Sequence, residues 1–254
     1  MNTKVPNIDY NEAIKNSGLF KKLGFVLFAV LVYRLGTYIP VPGINSAVLE
    51  QIFSQHQNGI LGIFDMFSGG ALMRMSVFTL GVMPYISASI IMTLMQSSFD
   101  SLKELKNQGA PGRKKIQQYT RYFTVLLAIF QSYGISNGIL NLSDTVDPTL
   151  GSVAFFQLSA VITMTSGTVF LMWLGEQITE HGFGSGISII IFAGIIANLP
   201  FAIFNTFELG RTGALSAIAI VLIIFLLLFM ILFIVFVERG QRRLLVQYPK
   251  RQVG

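Results

Sequence analysis

The residues whose types could do chemistry are few in this chain, and they stand apart. His56 and His181 are its two histidines, each isolated, and there is no cysteine. Disulfides, thiolate metal sites and cysteine nucleophiles are therefore excluded, and no cluster remains that could hold a metal. Gly182-Phe183-Gly184-Ser185-Gly186 has the glycine density of a phosphate loop. It lacks the preceding strand of a dinucleotide fold, so it reads as a tight turn between two apolar segments. The middles of the apolar segments beyond residue 75 contain no Asp, Glu, His, Lys or Arg. Proton- or sodium-coupled carriers place ionisable groups or ion-coordinating breaks near the midplane, so this pattern argues against one.

What remains is a pattern of apolar and small polar faces. Val82, Ile86 and Ile90 fall at i, i+4 and i+8, while Ser89, Thr93 and Gln96 share another stripe. Thr120, Thr124 and Gln131 lie on a common face further on, and Ile187 and Ile191 are one turn apart. A stripe of isoleucines is ordinarily a packing or lipid-facing face. A polar stripe on a spanning helix joins helices or lines water.

The elements that position these stripes are set by composition. Of 254 residues, 52% are hydrophobic and only 12% charged, with a mean hydropathy of +0.63. Soluble domains carry roughly 25% charged residues, so this is the profile of a polytopic membrane protein. Apolar runs predict six spans, at 23–39, 75–95, 122–140, 153–174, 186–204 and 214–237. Residues 1–22 are polar and amphipathic, as for a helix lying on a membrane surface. The first span lacks a small-residue cleavage site and ends at Pro40-Val41-Pro42-Gly43, so it is read as a retained helix. Arg34 near its far end either snorkels to the interface or contacts a neighbouring segment.

That segment is 60–74. Ile60, Ile63, Phe64 and Phe67 recur at helical spacing before Ser68, Gly69 and Gly70 interrupt them, with Arg74 closing the stretch. Irregular backbone at membrane depth must sit within protein or line a water-filled cavity. The pattern predicts a short helix folded into a cavity mouth, or a surface-lying loop without a gating role.

Basic residues are clustered. They occupy the amino-terminal tail, the 100–121 loop with Arg113, Lys114 and Lys115, and the tail with Arg239, Arg242, Arg243, Lys250 and Arg251. Six crossings place all three on one side, as the positive-inside rule asks of the cytosol. This accounts for the net charge of +6 without a nucleic-acid substrate. The clusters are either topology signals alone or contacts for a ribosome or a cytosolic motor.

Six stretches carry a resemblance: FSGGALMRMS, LGVMPYISASI, GRKKIQQYTRY, GTVFLMWLGEQITE, GISIIIFAGI and FVERGQRR. With them the chain resembles the SecY family, channel subunits of the bacterial Sec protein translocase. The resemblance implies an all-α polytopic bundle, half of a pseudo-two-fold channel, with a short re-entrant plug helix. It implies a protein-conducting channel in the bacterial inner membrane, amino terminus cytosolic, with no enzymatic activity and no cofactor. Unfolded secretory chains would cross it, and their signal sequences and other apolar segments would leave sideways into lipid.

Residue by residue, the resemblance places Val82, Ile86, Ile187 and Ile191 in a pore ring. It places Ile60, Ile63, Phe64, Phe67, Ser68, Gly69, Gly70 and Arg74 in the plug, and Ser87, Ile90, Thr93 and Thr124 at a lateral gate. The basic residues of the 100–121 loop and the tail would meet the motor SecA or a ribosome, and SecE and SecG would be further subunits. The implied division is a tail at 1–22, a five-span half at 23–204, a sixth span at 205–237 and a partner-binding loop from 238. Members of that family have ten spans, so a fragment of a longer channel is expected. Half of an inverted-repeat carrier, or a non-conducting assembly fragment, are the alternatives.

Overall fold

Backbone in lipid must satisfy its own hydrogen bonds, and helices do so within one segment. A computed structural model describes residues 18–55, 60–142, 146 and 152–240, with the side chains of 47, 50, 53–55, 60, 61, 63, 64 and 217 excepted. The described helices are α1 (Leu19–Gly36), α2 (Ser46–Gln55), α3 (Ile60–Ser68), α4 (Met83–Ser98) and α5 (Asp100–Asn107), then α6 (Ala110–Leu140), α7 (Val153–His181), α8 (Gly186–Ile196), α9 (Leu199–Arg211) and α10 (Ala217–Glu238). The chain divides into two compact units, Met1–Asn198 and Leu199–Gly254.

In the first unit α7 is the central post. It buries Phe156, Ala160, Met164, Gly167, Leu171, Leu174 and Ile178, close to every fourth residue, so one continuous face meets its neighbours. Against it lies α6, whose buried face is Gly112, Ile116, Thr120, Thr124, Ala128, Ser132 and Ser136. These residues are mostly small, which lets helix backbones approach closely where apolar burial alone gives no drive. The hydroxyls of Thr120, Thr124 and Ser132 donate to carbonyls four residues back, so they enter the core already satisfied. Among the described residues, side-chain ties join the pair at three places: the Ser132 and Thr165 hydroxyls at 3.3 Å, Arg121 Nε donating to Glu176 Oε1 at 2.7 Å, and Gln117 Nε2 donating to the same oxygen at 3.3 Å.

The second span differs from the expected continuous helix over 75–95. Residues 71–82 form buried turns, and α4 begins only at Met83, with Pro84 in its first turn. Gly81 and Pro84 thus mark a helix start rather than a kink. Gly81 takes φ 55°, and the proline ring suits a position whose N–H lacks a helical partner anyway. The irregular backbone finds partners in the chain after α1: Val77 N donates to Ile39 O at 2.9 Å, and Val41 N to Met75 O at 2.8 Å. Phe78 packs where Gly36 lacks a side chain, stacked between Tyr33 and Phe170. The segment is irregular, largely buried within protein and paired to its neighbours, with residues 79–82 bordering a cavity, as membrane depth requires of such backbone.

Other boundaries also move. The 100–121 loop is largely helical: α5 and the first turns of α6 meet at Gly109, whose φ of 77° breaks the run. The fourth span continues to His181, so the connection to α8 is only 182–185. There Thr179 Oγ1 accepts from Gly186 N at 2.8 Å, and Gly186 lies against the Gly175 carbonyl. The glycine-rich stretch is a tight turn. Helix α8 stops at Ile196, ahead of Pro200 in α9.

In the second unit, α9 and α10 are joined by a turn in which Leu215 N donates to Leu209 O at 3.0 Å. Helix α10 is apolar all round, with its large side chains exposed, as expected of a helix whose solvent is lipid.

Among the described residues, four stretches are long and apolar enough to cross a membrane: Ala110–Leu140, Val153–His181, Gly186–Arg211 and Ile218–Glu238. The other two expected spans fall short as single helices. Helix α1 carries Lys21, Lys22 and Arg34, and α4 has 16 residues, about 24 Å against a hydrocarbon core of roughly 30 Å.

Helix α7 starts at Ser152, whose hydroxyl accepts from Phe155 N at 3.3 Å. Ser152→Ala should lower stability by about 1 kcal/mol, read as an earlier denaturant midpoint with an unchanged slope.

Candidate functional site

The site begins with the way α3 ends. Gly69 at φ 68° follows Ser68, Gly70 N donates to Asp65 O at 3.0 Å, and Gly69 N to Met66 O at 3.2 Å. This is a Schellman stop, in which a left-handed glycine closes two of the last carbonyls. The expected break at Ser68-Gly69-Gly70 is where the structure places it. Ser68 Oγ donates to Asp65 O at 2.9 Å, and the Asp65 carboxylate accepts from Met73 N at 2.8 Å, folding the following turn back onto the helix. Burial raises the Asp65 carboxyl above the usual carboxylate range, opposed by the Met73 N–H and the Arg74 charge.

Around this stop lies a cavity of about 750 Å³, lined on one side by Phe67, Ser68 and Leu72 and on another by Val82, Ile86 and Ser87. Gln131 and Ile135 of α6 and Ile191 of α8 complete its wall. A second cavity, of about 540 Å³, is more polar: Tyr85, Ser89, Gln117, Glu176, Thr179 and Ser188 line it together with Ile86, Ile90, Ile187 and Ile191. Among the described residues, Ile86 and Ile191 are the two side chains common to both cavities.

All four expected ring residues therefore border this interior. Val82 faces the first cavity, Ile187 the second, and Ile86 and Ile191 both. They come from the first turn of α4 with its preceding residue, and from the first half of α8. Val82 is buried, and the other three pack against the same core cluster. Aliphatic side chains such as these offer no ligand to an ion.

The expected gate residues are placed unequally. Ser87 lines the first cavity, Ile90 the second and is 56% exposed, and Thr93 is exposed with its hydroxyl returned to Ser89 O. Thr124 is not brought to this edge: it is fully buried, with its hydroxyl on Thr120 O, because α6 uses that face for helix packing.

Among the residues expected in the plug, Phe67 and Ser68 line the cavity, and Gly69, Gly70 and Arg74 lie in the turns after α3. The backbone of Ile60, Ile63 and Phe64 is in α3, while their side chains lie outside the described residues. Arg34 meets the broken segment, donating from Nη1 to Gly69 O at 3.0 Å. Arg113, Lys114 and Lys115 are exposed on the first turns of α6, and Arg239 is exposed just after α10. Residues 1–17, His56, Asp144, Asp147, Arg242, Arg243, Lys250 and Arg251 lie outside the described residues. His181 is exposed and tilts against Phe25 at 5.6 Å, and no group able to hold a metal occurs among the described residues.

Sequence reasoning missed Tyr33, Gly194 and the Arg121–Glu176 pair. Tyr33 is fully buried and donates to Ser68 O at 2.9 Å. A tyrosine inside an apolar helix was a usable signal, since its hydroxyl needs a partner once buried.

Long apolar helices around an interior split into two cavities define an all-helical, multi-pass membrane protein. Residues 76–254 match the SecY family model. Over 252 residues the chain is 50% identical to the protein translocase subunit SecY of Escherichia coli K12, covering 99% of this chain and 57% of that protein. It is 49% identical to the SecY subunit of Buchnera aphidicola subsp. Acyrthosiphon kondoi, covering 71% of that protein. The chain belongs to the SecY family. It spans 57% of the length of the Escherichia coli relative. Its fold is similar to that of Sec61 in a canine ribosome–channel complex from the endoplasmic reticulum, at a TM-score of 0.60 and 18% identity, covering 89% of this chain and 49% of that one.

Proposed function

We propose that this chain forms the amino-terminal part of a protein-conducting channel. It passes unfolded secretory polypeptides across the bacterial inner membrane and releases apolar segments into lipid. The observation that carries the reading is the pair Ile86 and Ile191, which border both interior cavities. A narrow aliphatic collar dewets when empty and yields around a chain without binding it, whereas a charged ring would hold ions.

In this reading Val82, Ile86, Ile187 and Ile191 are the waist, 60–74 is the plug, and Ser87, Ile90 and Thr93 form one edge of a lateral gate. The half-channel covers 23–204, the sixth span 205–237, and a partner loop starts at 238. The amino terminus is cytosolic. Four crossing stretches separate the exposed Arg113, Lys114 and Lys115 from Arg239, and an even number returns the chain to the same side. On that side SecA or a ribosome supplies the energy, with SecE and SecG as further subunits. The chain itself is a passage and not an enzyme.

The test places a photo-crosslinking residue at Ile86 or at Phe130, in cells that also produce the segment covering the rest of the relatives' length. A stalled secretory chain should be captured at Ile86 and not at Phe130, which is 68% exposed on α6. Equal capture at both positions, or none at Ile86, defeats the reading.

A further inference from the structure

The end of α1 takes two carbonyls at the carboxyl end of α3, that of Ser68, its last residue, and that of Gly69, the first residue past it. The stop closes the carbonyls of Asp65 and Met66. The carbonyls of Ser68 and Gly69 lie beyond that pair. Tyr33 Oη donates to the first at 2.9 Å, and Arg34 Nη1 to the second at 3.0 Å. The pairing is electrostatically apt, because a helix carboxyl end carries a partial negative charge that a guanidinium complements.

Sterics hold the same spot. A side-chain carbon at Gly194 of α8 would stand 3.0 Å from Phe67 O and 3.1 Å from Tyr33 Oη. One at Gly69 would stand 3.0 Å from Gly194 Cα. The end of α3 is therefore seated on bare backbone of α8. Beyond the hinge, the Arg74 guanidinium lies 4.4 Å from the centre of the Tyr38 ring, just past the end of α1. Both sides of the Gly69–Gly70 turn are thus fastened near one end of α1.

We propose that Tyr33 and Arg34, with Gly194 as the seat, form a latch that holds the re-entrant helix closed, and that opening requires their two hydrogen bonds to break. This rests on the reading of 60–74 as the closing segment. The latch acts on carbonyls and not on side chains of α3, so it senses the position of the helix end and not its sequence. An entering chain that displaces α3 must release Ser68 and Gly69 together, which makes the closed state two-valued and not gradually deformable.

The test is resting ion conductance of the complete channel in planar bilayers. Tyr33→Phe keeps the ring stacked on Phe78 and removes only the hydroxyl. Loss of one buried hydrogen bond should raise the conductance about tenfold. Gly194→Ala should raise it in the same direction by crowding the seat. Deleting 60–68 should also make the channel leak, and Tyr33→Phe should then add nothing, because its partner is gone. If the deletion leaks but neither Tyr33→Phe nor Gly194→Ala does, the latch is wrong and the closing segment stands. Full additivity of Tyr33→Phe with the deletion also overturns the latch. A deletion that does not leak overturns the reading of the closing segment itself, and the latch with it.

Discussion

Ile86→Ser combined with Ile191→Ser should make membranes containing the complete channel leak small ions at rest, by about tenfold or more. The two side chains border both cavities. Serine there removes aliphatic bulk from both sides and adds a hydroxyl that water can bond. The barrier is a shortage of partners for water, so wetting it should act far more strongly than the lost packing. Each single change should give a smaller leak, because the opposite isoleucine still narrows the passage. The measurement is potassium conductance in planar bilayers, with Ile90→Ser as a control that lines only the polar cavity. A double variant as tight as the parent shows that these residues are not the barrier.

Gly186→Ala should be the most destabilising single methyl addition near this site. A side-chain carbon at Gly186 would fall well inside contact distance of the Gly175 carbonyl oxygen and would also press on Ile178. The contact is backbone on backbone, so no rotamer change relieves it, and overpacking of this kind costs about 1–3 kcal/mol or more. The shift would also move Ile187, the next residue, away from the second cavity. Two readouts should change together: an earlier unfolding midpoint in detergent, and a raised resting conductance. Gly184→Ala is the comparison. An added methyl at this neighbouring glycine would meet nothing within 4 Å, but its φ of 68° adds strain. Its loss should therefore be smaller, about 1 kcal/mol.

Much of this was legible in the residues themselves. The third to sixth spans were plain, since long uncharged runs have few other fates. The interruption at Ser68-Gly69-Gly70 was legible because glycine there stops a helix by backbone conformation alone. The isoleucine spacing in 187–191 was legible as one face, though not as a face turned toward a cavity. The start of α4 was misplaced: Val77, Phe78 and Leu80 look like spanning residues, and hydropathy cannot distinguish a buried turn from a buried helix. The polar stripe of α6 was legible as a stripe, but packing against α7 consumed Thr124 while leaving Gln131 at the cavity.

By itself the sequence determined a polytopic helical chain, a short helix interrupted at Ser68-Gly69-Gly70, and basic residues gathered into clusters along the chain. Each follows from local chemistry: apolar run length, glycine conformation and charge placement. Only the tertiary structure decided that 71–82 is buried turn, that Ile86 and Ile191 border the same two spaces, and that Tyr33 and Arg34 reach across to Ser68 and Gly69. These depend on which faces of separate helices meet. A side chain and a carbonyl thirty-five residues apart carry no mark of each other until packing brings them together.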